Sequence, residues 1–396
     1  MVGGENSFNP KNWKDWILQH EQESVADIAL RYGPKKDFPL ADLLHQLKGR
    51  QIAKQKLPSW YVNFEVVYPD GLILEQCSSE ATSSFKAQFA TDKTVLDLTG
   101  GLGIDSLAFS NVAKKVIYAE QNERRCAAAK INFQAFQKNN IEVICGDAET
   151  LVDEGIAKDI DLIFIDPSRR SDSGKKIFRI EELQPNVIEL KEKLLRKGAH
   201  VIIKLAPMLD ISEGIRQLPE TFRIDVLSWK GECRELLFHI KKGGTLPQIH
   251  CHDLDGNVPS LTFDYYKASQ LSLSFSEPKK YIYEPNASVR KAGAWKSICD
   301  QYPVSILHAN THLFTSNEKI NFPGRCFELL EVMPYKKEII LEKLAGRNAQ
   351  MVFYNFPEEP VKVKKKIIVK SGEPLYLFFV GLHNVATRVL LCSLAD

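Results

Sequence analysis

Thr94-Val-Leu-Asp-Leu-Thr-Gly-Gly-Leu-Gly-Ile-Asp105 is the stretch that decides the fold. Its apolar start reads as a short buried strand with an acid, Asp97, at the end. Gly100, Gly101 and Gly103 then turn the chain into a helix, an arrangement that brings bare backbone up to a ligand at the open edge of a parallel sheet. A lone glycine fingerprint is shared by nicotinamide, flavin and S-adenosylmethionine sites. The acids that follow narrow the choice. Lys115-Val-Ile-Tyr-Ala-Glu120 reads as a second strand ending in Glu120, 17 residues after Gly103. A carboxylate there suits two ribose hydroxyls. Ile141 to Asp147 and Asp161 to Pro167 read as a third and a fourth strand, ending in Asp147 and in Asp166-Pro167. A dinucleotide site needs Glu120 but not the whole set. It also usually has Gly or Ala where this chain has Ser106.

The set resembles the class I, Rossmann-like S-adenosylmethionine-dependent methyltransferases, over about residues 90 to 241. The resemblance implies that Asp97, Gly100, Gly101 and Gly103 hold the methionine end of the cofactor. It implies that Glu120 holds the ribose and that Asp147 lies by the adenine amino group. Thr99 and Asp105 of the first loop, Gln121 beside Glu120 and Ala148 beside Asp147 are counted with that pocket.

Composition sets the outer bounds. The chain has 396 residues, 44% hydrophobic and 26% charged, with a net charge of +2. That length predicts two or three domains with a sizeable core. No apolar run approaches the roughly 18 residues of a membrane helix, and the N-terminus lacks the pattern of a signal peptide. Eight cysteines without a Cys-x-x-Cys pair predict reduced thiols in a cytoplasmic protein. The near-neutral charge means that any nucleic-acid surface is a local patch.

The expected architecture is α/β: a seven-stranded Rossmann-like methyltransferase sheet, a helical N-terminal region, and small α+β modules at the C-terminus. Residues 1–92 read as mostly helical, with helix-like apolar spacing over Lys11 to His20, Ser24 to Tyr32 and Leu40 to Leu57. A break falls at Asp37-Phe-Pro-Leu. Residues 93–242 alternate strand and helix, the mark of a parallel sheet covered on both faces. Gly198 sits where a helix C-terminal glycine belongs, and strands near 222–229 and 234–241 supply the antiparallel edge. Residues 243–277 read as a β-rich extension. Residues 278–322 form a further module with a helix from Ala287 to Tyr302, and residues 323–396 mix strands with one helix, Tyr335 to Leu344.

Five strings resemble a narrower family, the bacterial class I methyltransferases with a ferredoxin-like module and a terminal THUMP-like domain. They are Gly49-Arg-Gln-Ile-Ala-Lys-Gln-Lys-Leu-Pro-Ser-Trp60, Glu75-Gln-Cys-Ser-Ser-Glu80, Asp166-Pro-Ser-Arg-Arg170, Lys204-Leu-Ala-Pro-Met-Leu-Asp210 and Tyr283-Glu-Pro-Asn-Ala287. The resemblance implies RNA as a partner, tRNA or rRNA.

Methyl transfer is an in-line displacement, so positioning the acceptor about 3 Å from the methyl carbon does most of the work. The fourth-strand loop is where the family places its acceptor. Here that loop is Asp166, Pro167, Ser168, Arg169 and Arg170. Asp166 can accept a hydrogen bond from an amine. The aromatic that stacks a flipped adenine in amino-methylating relatives is missing, which argues against adenine N6. Neither the fourth- nor the sixth-strand loop has the cysteine that carbon-5 pyrimidine methylation needs. A nitrogen acceptor is therefore expected. Arg169 and Arg170 can grip a phosphate or stack on a base, or form a surface pair with Asp172. Lys204 ends a buried strand and meets substrate or pairs with Asp166 or Asp210. Glu75 to Glu80 either lines the pocket or supplies an N-cap, Ser79 or Thr82, with Lys86 on the outer helix face.

Three further signals have two readings each. Lys48, Arg50, Lys54 and Lys56 precede Pro58, Trp60 and Tyr61. They are a basic helix beside stacking aromatics, or a solvated face beside a core tryptophan. His250-Cys-His-Asp253 places two imidazoles on one side of a strand. No second ligand pair has zinc spacing, so no metal is expected. Lys362 to Lys370 holds five lysines in nine residues, a basic strand face for RNA phosphates or a protected edge. The expected function is methylation of an RNA base nitrogen. A methyltransferase for a protein or small molecule is the alternative, and a non-catalytic RNA-binding protein the further one.

Overall fold

A computed structural model describes residues 10–33, 38–69, 71–156, 158–168, 179–196, 200–256, 258–372, 374–383 and 387–395, with backbone only for 71–73. Arg169, Arg170, Asp172 and Gly198 lie outside the described residues. The chain divides into two units, one running to Thr221 and including Leu237–Gly244, the other made of Phe222–Leu236 and Thr245–Asp396.

Short apolar runs ending in acids form the parallel strands of the first unit: β1 (Thr94–Asp97), β2 (Lys115–Glu120), β3 (Ile141–Cys145), β4 (Leu162–Ile165) and β5 (His200–Leu205). They lie in the order β3-β2-β1-β4-β5. The order reverses between β1 and β4, which pair Asp97 with Phe164. In open α/β sheets ligands bind outside the carboxyl ends of the strands at such a switch point. The expected antiparallel strands follow as β6 (Thr221–Trp229) and β7 (Glu232–Ile240). Lys230 and Gly231 join them with φ of 53° and 71°, the double left-handed turn that matches strand twist in a tight hairpin. Beyond the seven expected strands the sheet continues through β8 (Gln248–Asp253) and β9 (Leu261–Asp264), in the order β5-β7-β6-β8-β9.

The N-terminal helices belong to the first unit's core. Leu57, Trp60, Val66, Tyr68 and Leu74 pack with Leu102, Ile104, Tyr118 and Phe133, from the glycine loop and β2 onward. Gly49 is required by that packing, since a Cβ there would lie 2.4 Å from the Tyr68 ring. The stacking reading of the basic helix Leu40–Lys56 fails here. Trp60 is 1% exposed and Arg50 3%. The Arg50 guanidinium lies 3.7 Å from the Phe64 ring centroid and 3.7 Å from Glu21 Oε1. Lys56 Nζ donates to the Leu74 and Glu75 carbonyls, and Lys48 pairs with Glu75. These cations tie the region together instead of waiting for phosphates. The eight cysteines also depart from expectation, since Cys126 and Cys145 form a disulfide. They sit on the helix Glu123–Ala135 and at the end of β3, neighbours across the β2–β3 crossover.

The second unit holds a seven-stranded sheet in the order β11-β12-β10-β13-β16-β15-β14. Its strands are β10 (Tyr281–Pro285), β11 (Ser305–Ile306), β12 (Phe314–Ser316), β13 (Gly324–Met333), β14 (Ala349–Tyr354), β15 (Leu375–Val380) and β16 (Arg388–Leu394). Two local expectations are corrected. The stretch from Ala287 to Tyr302 is two helices, Ala287–Ala292 and Trp295–Gln301, because Gly293 takes the left-handed conformation that ends a helix. The lysine-rich tail is a helix, Pro360–Lys366, not a strand. Pro360 suits the first helical turn. Val363 and Ile367, four residues apart and buried, fix one face inward, which leaves Lys362, Lys364, Lys365 and Lys366 exposed.

Candidate active site

The glycine loop is built by collisions that only glycine avoids. A Cβ on Gly100 would lie 2.2 Å from the Tyr118 ring, and one on Gly103 2.7 Å from Phe133. Gly101 and Gly103 also have φ of 56° and 83°, which L side chains rarely adopt. The loop is then pinned: Gly100 N–H donates to Ala119 O at 2.7 Å, and Tyr118 Oη donates to Gly101 O at 2.6 Å.

Asp97 ends β1 at 1% exposure. It accepts from Ser106 Oγ at 2.6 Å and from the Thr99 amide at 3.3 Å. The serine that breaks the dinucleotide fingerprint thus serves the acid. Burial pushes the Asp97 carboxyl up to about 7. The bonds from Ser106 and Thr99 oppose the shift, and the charges of Asp105 and Asp166 add to it.

Asp105, in the first turn of the next helix, is held by residues outside the sheet. Ser78 Oγ donates to its Oδ2 at 2.7 Å, and Lys86 Nζ lies 2.8 Å from its Oδ1. Lys86 also donates to Ser78 Oγ at 2.6 Å. Lys86 is fully buried, which corrects its expected place on the outer helix face. Ser79 is the N-cap of the helix Glu80–Ala87, closing a capping box with Thr82. Cys77 of the same segment is the residue the sequence reading passed over. Burial pushes its thiol up to about 11, opposed by the charges of Lys56 and Lys204 and aided by that of Asp105, so it is a neutral thiol at physiological pH.

Glu120 closes β2. Its Oε2 accepts from the Gly101 amide at 3.0 Å and its Oε1 from the Asn122 amide at 2.9 Å, with Arg125 at 3.4 Å. Gln121 beside it is exposed. Asp147 caps the helix Ala148–Asp153, accepting from the Thr150 amide at 3.0 Å. Asp147 is exposed and Ala148 buried.

The β4 end meets this loop directly. The Asp166 amide donates to Thr99 Oγ at 2.6 Å, and Lys204 Nζ reaches Asp166 Oδ2 at 2.5 Å. The pairing of Lys204 with Asp166 is one that the sequence offered. Pro167 is buried, and Ser168 is tied by its backbone to Gln184. Asp97, Thr99, Gly100, Gly101, Gly103, Asp105, Glu120, Asp166 and Lys204 are therefore linked around the carboxyl ends of β1, β2, β4 and β5. The His250 and His252 pair belongs to the second unit.

Comparison with known proteins gives the class of enzyme. Residues 92–218 match the family model of the RNA cap guanine-N2 methyltransferases, and residues 281–323 match a ferredoxin-like domain. An uncharacterized S-adenosylmethionine-dependent methyltransferase of Mycobacterium tuberculosis is 22% identical over 314 residues, 76% of this chain and 81% of that protein. An uncharacterized RNA methyltransferase of Clostridium tetani is 30% identical over 104 residues, 26% of this chain and 23% of that one. The crystal structure of a Porphyromonas gingivalis W83 protein described as a methyltransferase superposes with a TM-score of 0.86 at 28% identity, covering 99% of this chain and all of that one. The chain is a class I S-adenosylmethionine-dependent methyltransferase with a ferredoxin-like module. Among the described residues no helix is long and apolar enough to cross a membrane.

Proposed function

We propose that this enzyme transfers the methyl group of S-adenosylmethionine to a nitrogen of an RNA base, in tRNA or rRNA. The observation that carries the reading is the Asp166–Lys204 pair, bonded through Thr99 to the loop that cradles the cofactor. Acceptor and methyl donor are thereby held by one hydrogen-bonded unit. The match to an RNA methyltransferase family supports RNA as the substrate class.

The residues present fit the cofactor. Gly100, Gly101 and Gly103 leave backbone where any side chain would collide or strain. Glu120 uses three acceptor positions, on the Gly101 and Asn122 amides and the Arg125 guanidinium. A carboxylate has about four, so one remains for a ribose hydroxyl, and a second opens where the long Arg125 contact gives way. Asp97 supplies negative charge for the methionine ammonium and the sulfonium, Asp105 lines the same end of the pocket with its charge balanced by Lys86, and Asp147 with Ala148 flanks the adenine. The bound cofactor supplies an electrophilic methyl. Asp166 orients the acceptor amine by accepting its N–H, and the carbonyls beside Pro167 and Ser168 give further acceptors. Lys204 fixes the Asp166 carboxylate from the other side. The proton released from the methylated nitrogen passes to Asp166 or water. Arg169 and Arg170 are assigned to the RNA phosphate backbone.

The domain scheme belongs to the same reading: residues 1–92 helical, 93–242 catalytic, 243–277 an extension, 278–322 ferredoxin-like and 323–396 THUMP-like. The exposed lysines of Pro360–Lys366 serve the last module as RNA contacts. A cytoplasmic location is part of the same proposal. The test is transfer of radiolabelled methyl groups to total RNA from a strain lacking the gene, followed by nucleoside analysis. A labelled methylated nucleoside, dependent on Asp166, is expected. Label confined to a nuclease-resistant protein fraction would assign a protein substrate instead. Cofactor binding without transfer to any fraction would leave a non-catalytic binder.

A further inference from the structure

A second cluster of functional groups lies in the second unit. β6 and β8 run parallel, and their register sets Asp225 opposite His250 and Leu227 opposite His252. Residues two apart on a strand share a face, so Asp225, His250 and His252 project from the same side. One donor atom from each lies within 4.8 Å of the others. Asp225 is fully buried, and its Oδ1 is 2.9 Å from His252 Nε2. The two imidazole rings are nearly parallel, 5° apart in tilt, with centroids 6.2 Å apart. Each is also held from behind. Ser260 Oγ lies 2.9 Å from His252 Nδ1, and Thr262 Oγ 3.0 Å from His250 Nδ1. Arg223 grips the same carboxylate, with Nε on Oδ2 at 2.8 Å and a terminal nitrogen on Oδ1 at 2.7 Å.

We propose that Asp225, His250 and His252 bind a divalent transition-metal ion of the zinc type. Two imidazoles and one carboxylate are the donor set such ions take, with water completing the shell. Donor atoms around a tetrahedral zinc, at bond lengths of about 2.0 Å, stand roughly 3.3 Å apart. His252 and Asp225 are within a few tenths of an ångström of that spacing, and a side-chain rotation brings in His250. The two hydroxyls orient the imidazoles through their other nitrogens, as the outer partners of metal-bound histidines do. Metal would take the place of the proton between His252 Nε2 and Asp225 Oδ1, and the imidazole would then carry its proton on Nδ1, facing Ser260 Oγ. Arg223 selects among cations. It cancels the one carboxylate charge, which removes the attraction that calcium and magnesium depend on. Nitrogen ligation remains, and that favours zinc, cobalt or nickel. The ion would clamp β8 to β6. The sequence could not show this site, because Asp225 stands 25 residues before His250 and only strand pairing joins them.

The proposal is independent of the methyl-transfer reading, and its test uses no activity. The full chain is stripped with chelator and titrated with zinc by calorimetry and with cobalt(II) by visible spectroscopy, with magnesium as a control. The expected result is one zinc or cobalt ion per chain and no magnesium uptake. The cobalt spectrum should show nitrogen–oxygen ligand-field bands and no sulfur charge-transfer band. Uptake should be lost in the His250→Ala/His252→Ala variant, with cofactor affinity unchanged. Thr262→Val, which keeps all three donors, should weaken binding by about tenfold and serves where the double variant fails to fold. Absent or substoichiometric uptake, uptake retained in the double variant, Thr262→Val binding as tightly as the parent, or a sulfur-type spectrum from the free cysteines would each overturn the site.

Discussion

Cofactor affinity should fall steeply in mild acid, and one group should be responsible. S-adenosylmethionine brings two positive charges to a pocket where Asp97 titrates at about 7. Only the ionised carboxylate attracts them. With that value Asp97 is about one-tenth ionised at pH 6 and about nine-tenths at pH 8. Affinity for the cofactor should therefore drop roughly tenfold between pH 8 and pH 6, and a further tenfold by pH 5. The sign for stability is opposite. The folded Asp97 keeps its proton to higher pH than the unfolded residue, so the native state binds more protons between about pH 4 and 7. Its ionisation lowers the stability of the cofactor-free chain as pH rises through that window, by on the order of 4 kcal/mol for this fully buried group. Calorimetric titration with the cofactor from pH 5.5 to 7.5, with Asp97→Asn alongside, measures the first effect. The variant should bind weakly and with a flat pH profile. Lys86→Met should move the wild-type inflection to higher pH, because it uncovers the Asp105 charge beside Asp97. A pH-independent wild-type affinity, or the same slope in Asp97→Asn, would refute the reasoning.

Three further outcomes follow from single contacts. Gly100→Ala forces a methyl into the Tyr118 ring and should cost about 1–3 kcal/mol by thermal denaturation, with cofactor binding lost. Lys204→Ala frees Asp166 to swing and should reduce methyl transfer by about a hundredfold or more, with cofactor affinity by calorimetry within about twofold. Reducing the Cys126–Cys145 disulfide, which closes a span of 19 residues, should lower stability by about 3 kcal/mol in denaturant titration.

The strand-end acids were legible because each lies next to its own apolar run, and the glycines because their spacing is local. What escaped were partners brought together across the chain. Lys86 looks like a solvent-facing helix lysine until Asp105, 19 residues on, comes to meet it. Ser106 reads as a defect in a fingerprint until its bond to Asp97 is seen. Cys126 and Cys145 sit in different elements, and no short spacing marks them as a pair. The lysine tail misled for another reason. Val363 and Ile367 carry a helical interval, but Ile367-Ile-Val beside them has the β-branched character of a strand, and burial of the i, i+4 pair prevailed. Trp60 shows the limit of composition: a tryptophan beside four cations looks like a base platform, and only its 1% exposure identifies it as core.

The N-terminal helices therefore enter the chemistry as structure, and removing them should destroy the pocket, not merely weaken substrate capture. Leu57, Trp60, Val66, Tyr68 and Leu74 are each at most 1% exposed, in one cluster with Leu102, Tyr118 and Phe133. Burying such side chains stabilises by about 1.5–3 kcal/mol each, so the five together rival the whole net stability of a domain, about 5–15 kcal/mol. Their loss also strands polar groups. Asn132, 1% exposed on the helix that follows β2, accepts from the Val67 amide at 2.7 Å and donates to the Val67 carbonyl at 3.0 Å. Lys86 and Ser78 would leave Asp105 unpaired beside Asp97. A fragment beginning at Lys93 should therefore lack a cooperative unfolding transition and bind no cofactor. Asn132→Ala in the full chain, a milder cut at the same seam, should cost about 1–3 kcal/mol while keeping the pocket. An RNA-binding appendage would behave otherwise: the fragment would fold, hold the cofactor with full affinity and lose only RNA. That result would show the helical region to be a separate module.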